Sequence, residues 1–176
     1  MVKLLGLELS GGAFGLRLSA ALILAALEAF LFYYLPTNVG SLASGYLPSS
    51  YSSQIVSLVS GLVSPLLPIL GLVIAVLGLL GILLKGTKIY GLIIALIGAT
   101  FAGYTYLFFQ GGTIHLNVPP GLIQNVTGQI SLELYLVMLL LIIPSLLTIV
   151  KGGVLLMQAR SSAPKALAKQ APEPSG

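Results

Sequence analysis

Cysteine is absent from the 176-residue chain, and charged side chains make up only 7% of it. The lack of thiols excludes disulfides, thiolate catalysis, iron–sulfur clusters and cysteine-ligated zinc. One histidine and four carboxylates leave little material for a metal or haem site, because such sites need several ligands together. We therefore expect no catalytic residue, no bound metal and no cofactor.

The few charges are mostly positive, with eight Lys and Arg against four Asp and Glu, for a net charge of +4. A nucleic-acid-binding surface needs cations clustered in a stripe or patch that follows the phosphates. The cations here are scattered along the chain, so we expect no nucleic-acid partner. Their positions are better interpreted as a signal of membrane topology.

Hydrophobic residues make up 57% of the chain, and the mean hydropathy is +1.07. Soluble domains carry roughly 25% charged residues, so lipid must cover much of this surface. A membrane-spanning helix needs about 20 mostly apolar residues. Four segments meet this requirement: residues 14–35, 66–84, 89–109 and 130–150. We predict an all-α, four-transmembrane-helix bundle forming one domain over residues 1–160, followed by a flexible cytoplasmic tail at 161–176.

The cations indicate how the bundle is oriented. They lie before or within the start of the first segment, between the second and third, and after the fourth: Lys3, Arg17, Lys85, Lys88, Lys151, Arg160, Lys165 and Lys169. The connections 36–65 and 110–129 contain no Lys or Arg. Since cytoplasmic loops are enriched in Lys and Arg, we predict an integral protein of the plasma membrane with both termini cytoplasmic.

The first outer connection contains a further periodic element. Residues 53–64 place apolar side chains and serines on opposite sides at helical spacing, which predicts a short amphipathic helix on the outer surface. Pro65 and Pro68 interrupt a continuous helix, although one long kinked helix over 51–84 remains the alternative. In the second outer connection, Asn125 begins a glycosylation sequon, and its modification is left open.

Small residues recur at three- and four-residue spacing in the second and third segments. They are Gly71, Ala75, Gly78 and Gly81 in one, and Gly91, Ala95, Gly98 and Ala102 in the other. Small residues let helix backbones approach closely in lipid. Because only a short loop separates these segments, we expect them to pack on each other along these residues.

Glu28 is the most unusual residue of the predicted membrane region. A charged side chain at the centre of a helix costs about 2.5–3.5 kcal/mol, which the surrounding Leu, Ile and Phe offset at about 0.3–0.6 kcal/mol each. An acid held there needs a partner or a proton, and such acids often mark functional sites. By depth, a polar or proton site would include Glu28, Thr100, Tyr104 and Tyr135, with Glu133 nearer the outer interface. A neutral acid that only hydrogen-bonds a neighbouring helix is the alternative.

Three functions follow from these observations. The first is a non-catalytic structural or accessory subunit of a larger membrane complex, whose partners are lipids and other integral-membrane subunits. The second is a channel, carrier or proton-relay component centred on Glu28. The third is a lipid- or quinone-binding subunit of a membrane enzyme. The sequence favours the first, because it contains little soluble mass and no recognisable catalytic arrangement.

Overall fold

A computed structural model describes residues 2–4, 7–46, 56, 63–123 and 126–161. The protein is mostly helical, and four helices are long and apolar enough to cross a membrane: Gly11–Leu42, Leu66–Leu83, Tyr90–Phe108 and Tyr135–Ala159. The prediction of four such helices is confirmed. Most of the predicted outer helix at 53–64, Asn125 and the tail after residue 161 lie outside the described residues.

The first spanning element begins after a short hairpin in which β1 (Val2–Leu4) pairs antiparallel with β2 (Leu7–Leu9). Helix α1 (Gly11–Ala29) starts there because the Ser10 side chain accepts a hydrogen bond from the Ala13 N–H at 3.3 Å. This satisfies one of the free donors of the first turn. Helix α1 therefore begins earlier than residue 14, the predicted start.

The predicted end of this helix at Leu35 is wrong. The chain continues through a π-helical turn (Phe30–Tyr34) into α2 (Leu35–Ser44). The turn precedes Pro36, whose ring would clash with the carbonyl four residues earlier in a regular helix. The wider turn lets the Leu35 N–H donate to the Phe30 carbonyl and so carries the helix past the proline.

The next two helices form an antiparallel pair. Helix α3 (Leu66–Leu83) and helix α4 (Tyr90–Phe108) are joined by residues 84–89. The Thr87 N–H and hydroxyl both donate to the Leu84 carbonyl, at 2.9 and 2.7 Å. Gly86 has a φ of 93°, which few other residues adopt readily. These interactions make the connection tight, as the sequence predicted.

The connection that follows α4 forms a β-hairpin, which the sequence analysis did not predict. After a short 3₁₀ turn (Gln110–Gly112), β3 (Thr113–Ile123) pairs antiparallel with β4 (Val126–Glu133). Opposite residues share a face, so polar and apolar pairs alternate along the hairpin, as in Thr113↔Glu133, Ile114↔Leu132 and His115↔Ser131. The His115 Nδ1 and Ser131 Oγ are 3.0 Å apart.

The fourth helix, α5 (Tyr135–Ser161), starts five residues later than the predicted start at residue 130, because the hairpin occupies residues 130–133. It also continues beyond the predicted end at residue 150. At 1.5 Å per residue its 27 residues span about 40 Å. A bilayer core is only about 30 Å thick, so α5 is longer than such a core.

The helices pack mainly in chain order: α1 and the π-helical turn against α3, α3 against α4, and α4 against α5. Within the described ranges, α1 and α5 share no comparably extensive contact. The arrangement is thus closer to a row of helices than to a closed ring of four. A core of Leu67, Ile74 and Tyr104 joins α3 and α4, and Phe32 of the π-helical turn packs on it.

Candidate functional site

Glu28 lies in the seam between α1 and α3, directly against Gly78. A Cβ atom on Gly78 would overlap the Glu28 carboxylate, so only glycine leaves room for it. The Glu28 Oε2 is buried and has no hydrogen-bond partner among the described residues. This acid is therefore inserted between two helix backbones with one oxygen unsatisfied, a costly arrangement in an apolar environment.

Two turns earlier on the same face of α3, Gly71 performs a similar role. A Cβ on Gly71 would overlap the Phe32 carbonyl, so the α3 backbone lies directly on the π-helical turn. Pro36 has no N–H to donate to the Phe32 carbonyl. The Tyr104 hydroxyl of α4 donates to it instead, over a long 3.5 Å.

The neighbouring carbonyls of the turn are satisfied by side chains from α2. The Thr37 hydroxyl donates to the Tyr33 carbonyl at 2.6 Å, and the Asn38 amide donates to the Tyr34 carbonyl at 2.9 Å. Backbone groups in an apolar environment need such internal partners because water is not available to them. The polar residues of α2 therefore stabilise an interrupted helix.

A second seam joins α4 to α5. A Cβ on Gly98 would lie 2.6 Å from the Ser145 carbonyl oxygen, and one on Gly91 would lie 2.7 Å from the Gly152 carbonyl oxygen. From the other side, a Cβ on Gly152 would lie 2.5 Å from the Ala95 nitrogen. These contacts are much shorter than the optimal separation of about 3.5–4.0 Å between carbon atoms.

The expectation that these small residues join the second and third helices to each other is therefore wrong for most of them. Gly71 and Gly78 face the first helix, whereas Gly91, Ala95 and Gly98 face the fourth. Gly81 does face α4, where a Cβ would lie 3.3 Å from the Ile97 side chain. Of the remaining two, Ala75 is buried and Ala102 is half-buried. Each middle helix has two neighbours, and spacing alone does not reveal which neighbour a stripe faces.

In the described structure, the residues of the predicted polar site have different partners. The Thr100 hydroxyl donates to the Leu96 carbonyl of its own helix at 2.8 Å, and Tyr104 contacts Phe32, one turn from Glu28. Glu133 ends β4 and is not in the fourth helix, contrary to expectation. Tyr135 packs against Gly112 at the base of the hairpin.

An apolar cleft of 590 Å³ lies beside these contacts, where the π-helical turn and α2 face the end of α4. Phe32 forms part of its wall and packs edge-to-face against Phe101 and Tyr104, with ring centroids 5.3 Å apart in each pair. Phe108 and Phe109 extend this aromatic wall. Sequence reasoning missed the cleft, because its wall residues are ordinary apolar residues until the fold brings them together.

A smaller cavity of 190 Å³ adjoins the cleft and shares Pro36, Val39 and Val63 with it. Its lining also includes the hydroxyl residues Thr37 and Ser64. Glu28 lines neither space. The two spaces thus share part of their walls, and they differ in lining: the larger is mostly apolar, and the smaller includes hydroxyl residues.

At the other end of the helices, the Arg17 guanidinium donates to the Lys85 carbonyl at 3.1 Å. This bond ties the start of α1 to the connection between α3 and α4, and brings cations from both segments to one end.

No protein-family model, curated protein or solved structure matches this chain.

Proposed function

We propose that the chain is an integral membrane protein with both termini cytoplasmic, acting as a non-catalytic structural subunit of a larger membrane complex. The observation that carries this proposal is the position of Glu28, inserted against Gly78 between two closely packed helices. The grouping of Arg17 with Lys85 at one end supports the orientation, since cations concentrate on the cytoplasmic side.

A structural role for Glu28 agrees better with this position than a relay does. A proton relay or ion site needs a route to water, such as a water-filled cavity that the acid faces. Glu28 instead fills the space left by a glycine and lies apart from the residues that line the cleft. As a neutral acid, it would act as a polar contact that fixes α1 on α3.

The exposed apolar surface of the first spanning helix supports association with another subunit. The span Gly11–Leu42 is the least buried of the four described spans: in its most apolar stretch only 6% of the residues are buried inside the protein, against 33% for Leu66–Leu83. A helix of a neighbouring subunit could pack against this open side.

The experiment compares Glu28→Gln with Glu28→Leu in the native membrane complex. Gln preserves the shape of a neutral carboxylic acid, so Glu28→Gln should assemble at the parental yield and keep full activity of the complex. Glu28→Leu removes the polar contact and should lower the yield. Glu133→Gln is the matched control, because it makes the same chemical change on an exposed carboxylate outside the seam.

The relay function is the second candidate, and the unsatisfied oxygen of Glu28 is the observation that favours it. It predicts that Glu28→Gln assembles normally while proton- or ion-coupled activity collapses. That outcome would replace the structural proposal, whereas normal yield with normal activity would eliminate the relay.

A further inference from the structure

The apolar cleft and its small neighbour have the shape and chemistry of a site for an amphiphile. The cleft volume of 590 Å³ falls within the range of about 300–1,000 Å³ typical of small-molecule sites. Its wall includes the edge-to-face cluster of Phe32, Phe101 and Tyr104, and the smaller space opens beside it at Pro36 and Val39.

The location of the cleft determines what would fill it. Phe101, Tyr104 and Phe108 belong to the helix Tyr90–Phe108, and the wall on the other side belongs to Gly11–Leu42, both of which are candidate membrane spans. Under the proposed function, this surface faces lipid rather than water. A hydrocarbon chain fits an aromatic and aliphatic wall, and such chains are abundant in the lipid that this surface faces.

The smaller space determines the head group. Among the described residues, none that lines either space carries a formal charge, so an ionic head would enter without a counter-charge from them, at high cost. The Thr37 hydroxyl already donates to the Tyr33 carbonyl and so keeps its lone pairs to accept. The Ser64 hydroxyl oxygen is within 3.4 Å of the Leu66 N–H, from which it accepts, and so keeps its proton to donate.

We propose that this site binds a neutral lipid whose hydrocarbon chain occupies the aromatic cleft and whose hydroxyl head lies between Thr37 and Ser64. One acceptor and one donor suit a hydroxyl, which both donates and accepts. The inference rests on the proposed membrane location but not on the structural role of Glu28. It identifies the class of ligand as an uncharged, hydroxyl-headed lipid, which a long-chain alcohol or a diacylglycerol could supply.

The test uses photoactivatable probes in vesicles that contain the purified protein. One probe is a long-chain alcohol with a diazirine in its chain, the second is the same chain with a carboxylate head, and the third is a diazirine diacylglycerol. We expect the alcohol or the diacylglycerol to label residues of the cleft, in competition with its unlabelled counterpart, and the carboxylate probe to label them much less. Whichever neutral probe labels more strongly identifies the source of the hydroxyl.

Two variants and a control complete the test. Val39→Trp fills the boundary between the two spaces, and Ser64→Ala removes the donor with little change in volume. Labelling should fall about tenfold in Val39→Trp, which corresponds to about 1.4 kcal/mol of binding free energy, and should fall measurably in Ser64→Ala. Leu147→Trp introduces the same indole on a side chain that is 64% exposed on α5, and should leave labelling unchanged.

Equal labelling in Val39→Trp and Leu147→Trp would overturn the inference, as would equal labelling of the cleft by the carboxylate and the neutral probes. If Val39→Trp does not fold, Ser64→Ala and the comparison of head groups still decide the question. Vesicle flotation tests the membrane location separately from lipid binding in the cleft. A protein that fails to float contradicts the membrane location, whereas one that floats without labelling in the cleft contradicts only this inference.

Discussion

Gly152 and Gly153 are neighbours in α5, yet the structure assigns them opposite tolerance to a methyl group. A Cβ on Gly152 would lie 2.5 Å from the Ala95 nitrogen, 2.6 Å from the Gly91 carbonyl oxygen and 2.8 Å from the Ala95 Cα. All three are backbone atoms, so no side chain can rotate away to relieve the clash. A Cβ on Gly153 would meet nothing within 4 Å. Alanine at each position therefore tests the seam between α4 and α5.

The expected change in the free energy of unfolding is the sum of two opposing contributions. Alanine is favoured over glycine inside a helix by about 0.8–1.0 kcal/mol, and both variants gain this term. Only Gly152→Ala must also push two helix backbones apart, which costs about 1–3 kcal/mol as overpacking. Gly153→Ala should thus be slightly stabilised. Gly152→Ala should be less stable than Gly153→Ala by about 1–3 kcal/mol, because the shared helix term cancels in the comparison.

The assay is equilibrium unfolding of the purified protein in mixed micelles, followed by helical circular dichroism as the denaturing detergent fraction rises. The parent, Gly152→Ala and Gly153→Ala are compared under identical conditions. The geometry of the α4–α5 seam would be refuted if Gly152→Ala were as stable as Gly153→Ala. It would also be refuted if Gly153→Ala were the more damaging change.

Three further predictions concern the π-helical turn and the topology. Tyr104→Phe removes the hydroxyl that donates to the Phe32 carbonyl, and should lower the free energy of unfolding by about 0.6 kcal/mol in the same assay. A loss above about 2 kcal/mol would show that the hydroxyl has another partner. Pro36→Ala restores a backbone N–H that can donate to the Phe32 carbonyl. In that background, Tyr104→Phe should lower the free energy of unfolding by less than it does in the parent. Additive losses would contradict the inference that both donors use the Phe32 carbonyl. For topology, Tyr46→Cys should react with an impermeant thiol reagent in intact cells and Lys88→Cys should not, and the reverse pattern would invert the orientation.

Hydrophobicity alone was sufficient to predict the four helices, because length and composition decide which segments can cross a bilayer. The bounds at which prediction failed have local causes. The first helix passes Pro36 through a π-helical turn, and no apolar pattern signals that. The last helix starts at Tyr135 because residues 126–133 alternate in polarity and pair as a strand. That alternation is visible in the sequence, but the surrounding apolar residues obscured it.

The small residues illustrate a different limit of sequence reasoning. Their spacing marks a face of each helix along which another backbone can approach, but it carries no information about which helix approaches. Gly78 receives Glu28 from the first helix, and Gly98 receives Ser145 from the fourth. Gly152, which completes the second seam, was not predicted, although Ser145 and Thr148 precede it in the same helix at helical spacing. The depth of Glu28 could be counted from the sequence, whereas its contact with Gly78 depends on the rotation of two helices.

Three residues that are distant in sequence and unremarkable when taken singly meet at Phe32, which forms part of the cleft wall. Pro36 cannot donate a backbone hydrogen bond to the Phe32 carbonyl, so that group needs a donor from outside its own helix. Tyr104 supplies the donor, and the same contact holds the Phe32 ring edge-to-face against the aromatic wall. Gly71 allows α3 to lie directly on the π-helical turn, because a side chain at this position would overlap the Phe32 carbonyl. Because all three residues act on the same Phe32 carbonyl, substitutions at these positions should be non-additive, as expected for residues that share one contact.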